Sequence, residues 1–303
     1  MTLAITGGTG FVGQAVLDAV ARHGLLARAL ARNVPKDRRA RVEWVAGSLS
    51  NRAALVKLVE GAEALVHIAG LTSARDTAAF EGPNVAGTMA LVEVAREMGV
   101  KRFVFVSSLA ARRPDLSAYG ASKARAEKIV AASGLDWTIV RPPAVYGPRD
   151  KDMLELFRAA RIGVVPMPPP GRASMIHVAD LAELLLALVP GGEGTIGATF
   201  EPDDGQPGGW AHRELALAIG AAVGKRPWVP HVPRAVLGMI ARIDGAVRGD
   251  KAKLTLDRAG YMSHPDWVSD PAKAVPTGLW RPRVATRAGL ENTARWYREQ
   301  GWF

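Results

Sequence analysis

Over its first half the chain alternates two patterns: short apolar runs rich in β-branched residues, and longer stretches in which apolar positions recur every three or four residues. The first marks buried strand and the second amphipathic helix. Strands are predicted at residues 3–6, 27–31, 42–45, 64–68, 103–107 and 137–141, with helices at 11–22, 52–59, 87–98 and 117–132. Strand–helix alternation of this kind builds βαβ units and a parallel sheet. The predicted class is therefore α/β, a Rossmann-type doubly wound parallel sheet over residues 1–150. From Pro142 the texture changes, with Pro/Gly loops at 166–171 and 203–209. Further helical patterns follow at 213–223, 234–247 and 288–300. Residues 151–303 are expected to form mainly a smaller C-terminal substrate lobe, and a segment near 172–190 to return to the first domain.

Composition narrows the class. The chain has 303 residues, 48% of them hydrophobic, enough for a full core and against intrinsic disorder. It has no cysteine, which excludes disulfides, thiolate metal sites and a cysteine nucleophile. Neither a signal peptide nor an apolar run of membrane-spanning length is read, and a cytoplasmic home is expected. The net charge of +10 includes a dense basic cluster at Arg28, Arg32, Lys36, Arg38, Arg39 and Arg41, offset by Asp37. That cluster holds no aromatic residue on which a base could stack, so no nucleic-acid partner is expected.

The first candidate chemistry lies at Thr6-Gly7-Gly8-Thr9-Gly10-Phe11-Val12-Gly13, between a predicted strand and a predicted helix. Gly7 suits a tight turn, Gly10 lets backbone N–H groups approach a diphosphate, and Gly13 allows close helix–strand packing. The whole loop, with Thr9, Phe11 and Val12, is the expected dinucleotide cradle. After the second strand an NAD site expects a carboxylate, yet the chain reads Leu30-Ala31-Arg32-Asn33. The Arg32 guanidinium suits a 2′-phosphate, so NADP(H) is favoured over NAD(H).

The second candidate is Tyr119 and Lys123, four residues apart on one helix and facing the same way. An ammonium beside a phenol stabilises the phenolate and brings its pKa toward the working range of an acid–base group. Ser107 and Ser108 close the fifth strand, at the sheet edge where ligands bind in such folds.

With these pieces the chain resembles the short-chain dehydrogenase/reductase superfamily, in its extended branch of NAD(P)-dependent epimerases, dehydratases and 3β-hydroxysteroid-dehydrogenase-like enzymes. The resemblance covers essentially the whole chain. Gly47-Ser48-Leu49 is similar to the adenine-contacting Gly-Asp-Leu, with serine for aspartate. His67-Ile68-Ala69-Gly70 is similar to the segment passing under the cofactor, and Asn84-Val85-Ala86-Gly87-Thr88 to the element steadying the central helix. Arg141-Pro142-Pro143-Ala144-Val145-Tyr146-Gly147-Pro148 resembles the loop beside the nicotinamide, Ile176-His177-Val178-Ala179-Asp180 the later His-Val-x-Asp, and the Trp296-Tyr297 and Gly301-Trp302 tail the usual ending. The resemblance implies Ser108, Tyr119 and Lys123 as the catalytic group, with Ser107 as fallback. It adds Ser48, Leu49, Ala69, Gly70, Pro142 and Val145 to the cofactor site. Ala144 departs from the asparagine common in nucleotide-sugar epimerases, which points toward an apolar, non-nucleotide substrate.

The expected activity is reversible hydride transfer between NADP(H) and a secondary alcohol or ketone. The alternatives are a sugar-nucleotide epimerase or dehydratase and, in another class, a non-catalytic NAD(P)-binding structural or regulatory protein. The expected partner is a small-molecule substrate, with homodimerisation a family expectation. No metal site is read: no two histidines have ligand spacing, and Asp203 and Asp204 suit a turn. His177 is read as a hydrogen-bonded structural residue, with substrate contact the lesser alternative. Trp210, Trp228, Trp267 and Trp280 are read as core or lobe-packing aromatics, with lining of an apolar pocket the alternative for some of them. The apolar face Val236, Leu237, Met239, Ile240, Ile243 and Val247 is expected to be core or pocket wall, with membrane-surface contact the lesser alternative.

Overall fold

The computed structural model describes every residue except Asp37, Arg38, Arg75, Asp250, Lys251 and Lys253, so Arg38 of the basic cluster and the Asp37 that offsets it lie outside the described residues. It divides into two compact units, Met1–Arg141 with Leu181–Phe200, and Pro142–Asp180 with Glu201–Phe303.

The first unit contains β1 (Thr2–Thr6), α1 (Phe11–Arg22), β2 (Leu26–Ala31), β3 (Val42–Ala46), α2 (Arg52–Val59) and β4 (Ala64–His67). It continues through α3 (Gly87–Glu97), β5 (Arg102–Val106), α4 (Ala118–Ala131) and β6 (Asp136–Val140). The predicted strands and helices are present, with ends that coincide or shift by a single residue. A π-helical turn, Glu81–Ala86, leads directly into α3, and a 3₁₀ turn, Leu109–Arg112, follows β5. Hydrogen-bonded neighbours run β3-β2-β1-β4-β5-β6, and every pair is parallel. The order reverses between β1 and β4, which makes their C-terminal ends the switch point where such sheets take ligands.

Beyond β6 lies a seventh strand, Ala198–Phe200, parallel to it. It is too short to show a period, and its place at the edge is fixed by long-range bonds. The Arg102 guanidinium, almost fully buried, donates to the Leu188 and Val189 carbonyls, to Asp136 O and to Thr138 Oγ1. The returning segment is thus tied to the sheet through one cation and several carbonyls. The core on one side of this sheet packs Leu55, Leu58, Leu91, Phe103, Phe105 and Val130.

In the second unit, β7 (Ala144–Tyr146), α5 (Leu154–Ile162), β8 (Arg172–Ala173) and β9 (Met175–His177) come first. The chain then passes through α6 (Val178–Ala187) to the seventh strand of the first unit, β10, before returning. Next come β11 (Trp210–Ala211), α7 (His212–Ala222), α8 (Arg234–Arg248), α9 (Leu256–Met262), β12 (Asp266–Trp267) and α10 (Thr286–Glu299). Strands β11, β8 and β12 form one small sheet, and β7 pairs with β9 in another. The core gathers Tyr146, Phe157, Trp210, Ile219, Leu290 and Tyr297. The Trp302 ring stacks on Tyr297 at 5.6 Å, so the aromatic tail is part of this core.

Two expectations change here. Trp228 is no packing residue, being 69% exposed. On α8 only Leu237 and Ala241 are buried, against Ala259; Val236, Met239, Ile240, Ile243 and Val247 face outward. Periodicity marks an apolar face without saying that anything covers it.

Candidate functional site

The cradle is built by close backbone approach. Gly7 follows β1 with φ +76°, and a Cβ there would lie 2.7 Å from Ala69 N, on the loop after β4. A Cβ on Gly13 would lie 2.0 Å from Gly7 O, so α1 can start this close to β1 only with glycine. Gly10 occupies the N-cap of α1, no side chain caps that terminus, and no acidic residue stands in its first turn. Uncapped N–H groups at a positive helix end suit a diphosphate. Thr9 and Gly10 are exposed, and Phe11 and Val12 half-buried, at this opening.

Three arginines of the basic cluster are taken up within the protein. Arg28 binds Glu43 and the Lys57 and Glu60 carbonyls, Arg39 binds Asp18, and Arg41 binds Gly24 O. Arg32 stands exposed immediately after β2, and Lys36 is exposed nearby in sequence. Ser48 Oγ bonds Ser50 Oγ at 2.9 Å, while Leu49 packs against the core and against Gly87.

Beneath the switch point lies His67, fully buried at the end of β4 and stacked on Phe105. Its Nδ1 lies 2.6 Å from Thr6 Oγ1 and its Nε2 3.0 Å from Thr88 Oγ1. Thr88 gives its only hydroxyl hydrogen to Asn84 O at 2.7 Å, so Nε2 must be the protonated nitrogen. Nδ1 then accepts from Thr6, whose oxygen accepts from Ala69 N. The tautomer is thereby set by neighbours. Burial, reinforced by repulsion from Lys123, pulls the imidazole pKa down to about 3, and the ring stays neutral. Asn84 extends the network: Oδ1 accepts from Leu71 N, and Nδ2 donates to Leu71 O and to Ser122 Oγ on α4. This histidine was legible only as part of a motif, because its partners come from β1 and α3, far apart in sequence.

The two serines after β5 are distinguished by their partners. Ser107 donates to Glu127 Oε1 at 2.5 Å, and the Arg141 guanidinium grips the same carboxylate through both oxygens. Ser108 caps the 3₁₀ turn by accepting from Ala110 N, which leaves its hydroxyl hydrogen to another acceptor. Sequence reasoning missed Glu127 and Arg141; nothing in their spacing signals a buried ion pair.

Tyr119 and Lys123 stand one turn apart on α4, which Ser117 caps at its N-terminus. Gly120 holds that first turn against the Ser108 turn, since a Cβ there would lie 2.6 Å from Ala110 O. The Tyr119 ring is half-buried, 6.0 Å from the Phe80 ring. Lys123 is buried, its Nζ 2.7 Å from Val106 O and 4.4 Å from the Phe105 ring centre. Burial depresses its pKa to about 8, against an opposing pull from Glu127. A Cβ on Gly70 would come within 3.8 Å of that ammonium, which places the loop after β4 over it.

Pro142 and Val145 belong to the second unit, Pro142 buried and Val145 on β7 opposite Ile176. There His177 accepts from Ala179 N and meets the Tyr146 ring edge-on at 5.3 Å, a structural role. Asp180 accepts from the Arg283 and Val284 N–H groups. Asp203 and Asp204 accept from the N–H groups of Gly205 and Gln206, as turn formers do. Among the described residues no metal-holding cluster is present.

A sequence model of a family described as NAD(P)H-binding matches residues 7–190. A ceramide reductase of Caulobacter vibrioides is 36% identical over 99% of this chain and 95% of its own. A farnesyl-dihydroquinoline-oxide ketoreductase of Stigmatella aurantiaca is 30% identical, over 90% of this chain and 96% of its own. A dTDP-glucose 4,6-dehydratase of Bacillus anthracis, solved with NAD, shares the fold with a TM-score of 0.75 at 17% identity, covering 100% of this chain and 98% of that one.

The contact at Gly120 can be tested by stability. Gly120→Val is expected to lower it by about 1–3 kcal/mol, the usual cost of overpacking. Gly82→Ala, where a Cβ meets open space, should move it by less than about 0.5 kcal/mol. Urea unfolding followed by circular dichroism checks both, and equal stability of the two variants would refute the contact.

Proposed function

The chain belongs to the extended short-chain dehydrogenase/reductase family, and from that premise we propose that it is an NADP(H)-dependent reductase of a ketone carried on a long apolar molecule. The observation that carries the reading is the conjunction at α4: Ser108, whose turn-capping bond does not use its hydroxyl hydrogen, Tyr119 and a buried Lys123, with Gly120 pressing the helix against the Ser108 turn. The glycine cradle and the uncapped α1 terminus fit a dinucleotide diphosphate, and Arg32 is the group suited to a 2′-phosphate. When bound, the nicotinamide would supply the hydride.

The chain's own residues handle the proton and the orientation. Ser108 donates to the substrate oxygen and holds it beside Tyr119. Tyr119 gives its phenolic proton to that oxygen as the carbonyl becomes an alcohol, and takes it back in the reverse direction. Lys123 stabilises the phenolate left behind, held in place by Val106 O. Neutral His67 keeps the loops after β1 and β4 together, and adds no second cation beside Lys123. Support for an apolar substrate comes from the two relatives matched over nearly their whole length, one acting on ceramide and one on a farnesylated quinoline ring. Ala144 is in keeping with a substrate that is no nucleotide-sugar.

Tyr119→Phe should reduce ketone turnover about 10²–10⁴-fold while NADPH binding stays within about twofold. Full activity in this variant would refute the acid–base role. Unaltered biological function without turnover would favour a binding protein. The pH profile gives a second reading. Lys123 is charged below about pH 8 and neutral above it, so the reduction rate should fall as pH rises through about 8. A rate flat to about pH 10, the range of an ordinary lysine, would remove Lys123 from the mechanism.

Arg32→Ala should weaken NADPH binding about 10–100-fold and leave NADH nearly unchanged, as expected for one charged hydrogen-bonded contact. Calorimetric titration of both cofactors decides it. A wild-type preference for NADH, or cofactor that copurifies and does not exchange, would overturn the NADP reading and favour an epimerase.

A further inference from the structure

Helix α8 carries two different apolar faces. Leu237 and Ala241 are buried against Ala259, with Val232 and Leu254 packed around them. At 100° per residue, Val236, Met239, Ile240, Ile243 and Val247 fall within a separate arc roughly 100° wide. These five side chains are exposed by 36%, 54%, 42%, 57% and 78%, an apolar strip from Val236 to Val247 along most of the helix. Singly exposed aliphatic residues are ordinary, but a continuous strip signals contact with something.

The charges say with what. The helix carries Arg234, Arg242 and Arg248 against a single acid, Asp244, which binds Arg248 and Leu254 N. Past the Met239 edge of the strip runs an open groove of about 600 Å³ lined by Arg234, Ala235, Gly238 and Arg242. A small-residue floor between two guanidinium groups suits a phosphate headgroup. Aliphatic strip, basic flank and low overall hydrophobicity are together the pattern of a helix lying in a bilayer interface. Fifteen residues fall short of the roughly 20 needed to span a bilayer, and among the described residues no helix is long and apolar enough to cross one.

We propose that α8 docks the protein on an anionic phospholipid surface, with Met239, Ile240, Ile243 and Val247 entering the acyl boundary and Arg234 and Arg242 meeting the phosphates. The inference stands apart from the proposed reaction, because vesicle binding is read without substrate and either can fail alone.

The test is flotation of the full-length protein with vesicles of phosphatidylcholine and phosphatidylglycerol, and with phosphatidylcholine alone. Binding to the anionic vesicles is expected to be at least about tenfold tighter, and to weaken at about 0.5 M salt, where surface charge is screened. Ile243→Asp/Val247→Asp should reduce binding at least about tenfold. Arg234→Ala/Arg242→Ala should erase the preference for anionic lipid. All four positions lie on the helix exterior, and Met239→Asp provides an independent reading should the double variant misfold. Wild-type protein left in solution beside anionic vesicles would overturn the proposal, as would binding indifferent to these substitutions. A dimer in sedimentation that Ile243→Asp/Val247→Asp dissolves, without vesicle binding, would assign the strip to a second copy of the chain.

Discussion

The close approach of the loops after β1 and β4 is the constraint on which the candidate site depends. Gly7 must turn with positive φ against Ala69, and the hydrogen bond from Thr6 to His67 locks the two strand ends in register. A buried polar group is stabilising only when its partners are present. Here each hydroxyl of the chain Ala69 N–Thr6–His67–Thr88–Asn84 O both donates and accepts. That one-way order fixes the imidazole as neutral and protonated at Nε2. It also ties the cradle to α3 and, through Asn84 and Ser122, to the helix that carries Tyr119 and Lys123.

The electrostatics follow from this arrangement. Lys123 is withdrawn from water, which depresses its pKa, and it tolerates burial because Val106 O, the Phe105 ring and Glu127 compensate part of its lost hydration. A charged imidazole, which Lys123 would repel, would work against that compensation. Glu127 is in turn held by Arg141 and Ser107, so the acid that supports the lysine is itself anchored by an ion pair and a hydrogen bond. One face of α4 thus joins an anchored carboxylate, a desolvated ammonium and a tyrosine, with Gly120 pressing the helix onto the Ser108 turn.

In the second unit polar side chains close turns and staple loops, as Asp180 does to the segment at Arg283 and Val284. Its aromatic core reaches the last residues of the chain, where Trp302 and Phe303 pack on Tyr297. Helix α8 departs from this economy: it buries a narrow face and leaves a wider apolar one outside.

The sequence by itself determined whatever is local. Strand–helix alternation set the parallel sheet, because burial on both faces demands continuous apolar runs. Gly7, Gly10 and Gly13 marked the cradle, and the four-residue spacing of Tyr119 and Lys123 placed them on one face, because backbone sterics and helical pitch act within a few residues. Tertiary structure decided what distant partners control. Ser107 was separated from Ser108 by Glu127, twenty residues on, and the His67 tautomer by threonines on β1 and α3. The edge strand β10 was set by Arg102 and by pairing with β6. Periodicity showed that α8 carries an apolar face, but whether an apolar face is covered depends on what folds against it, which no local pattern records.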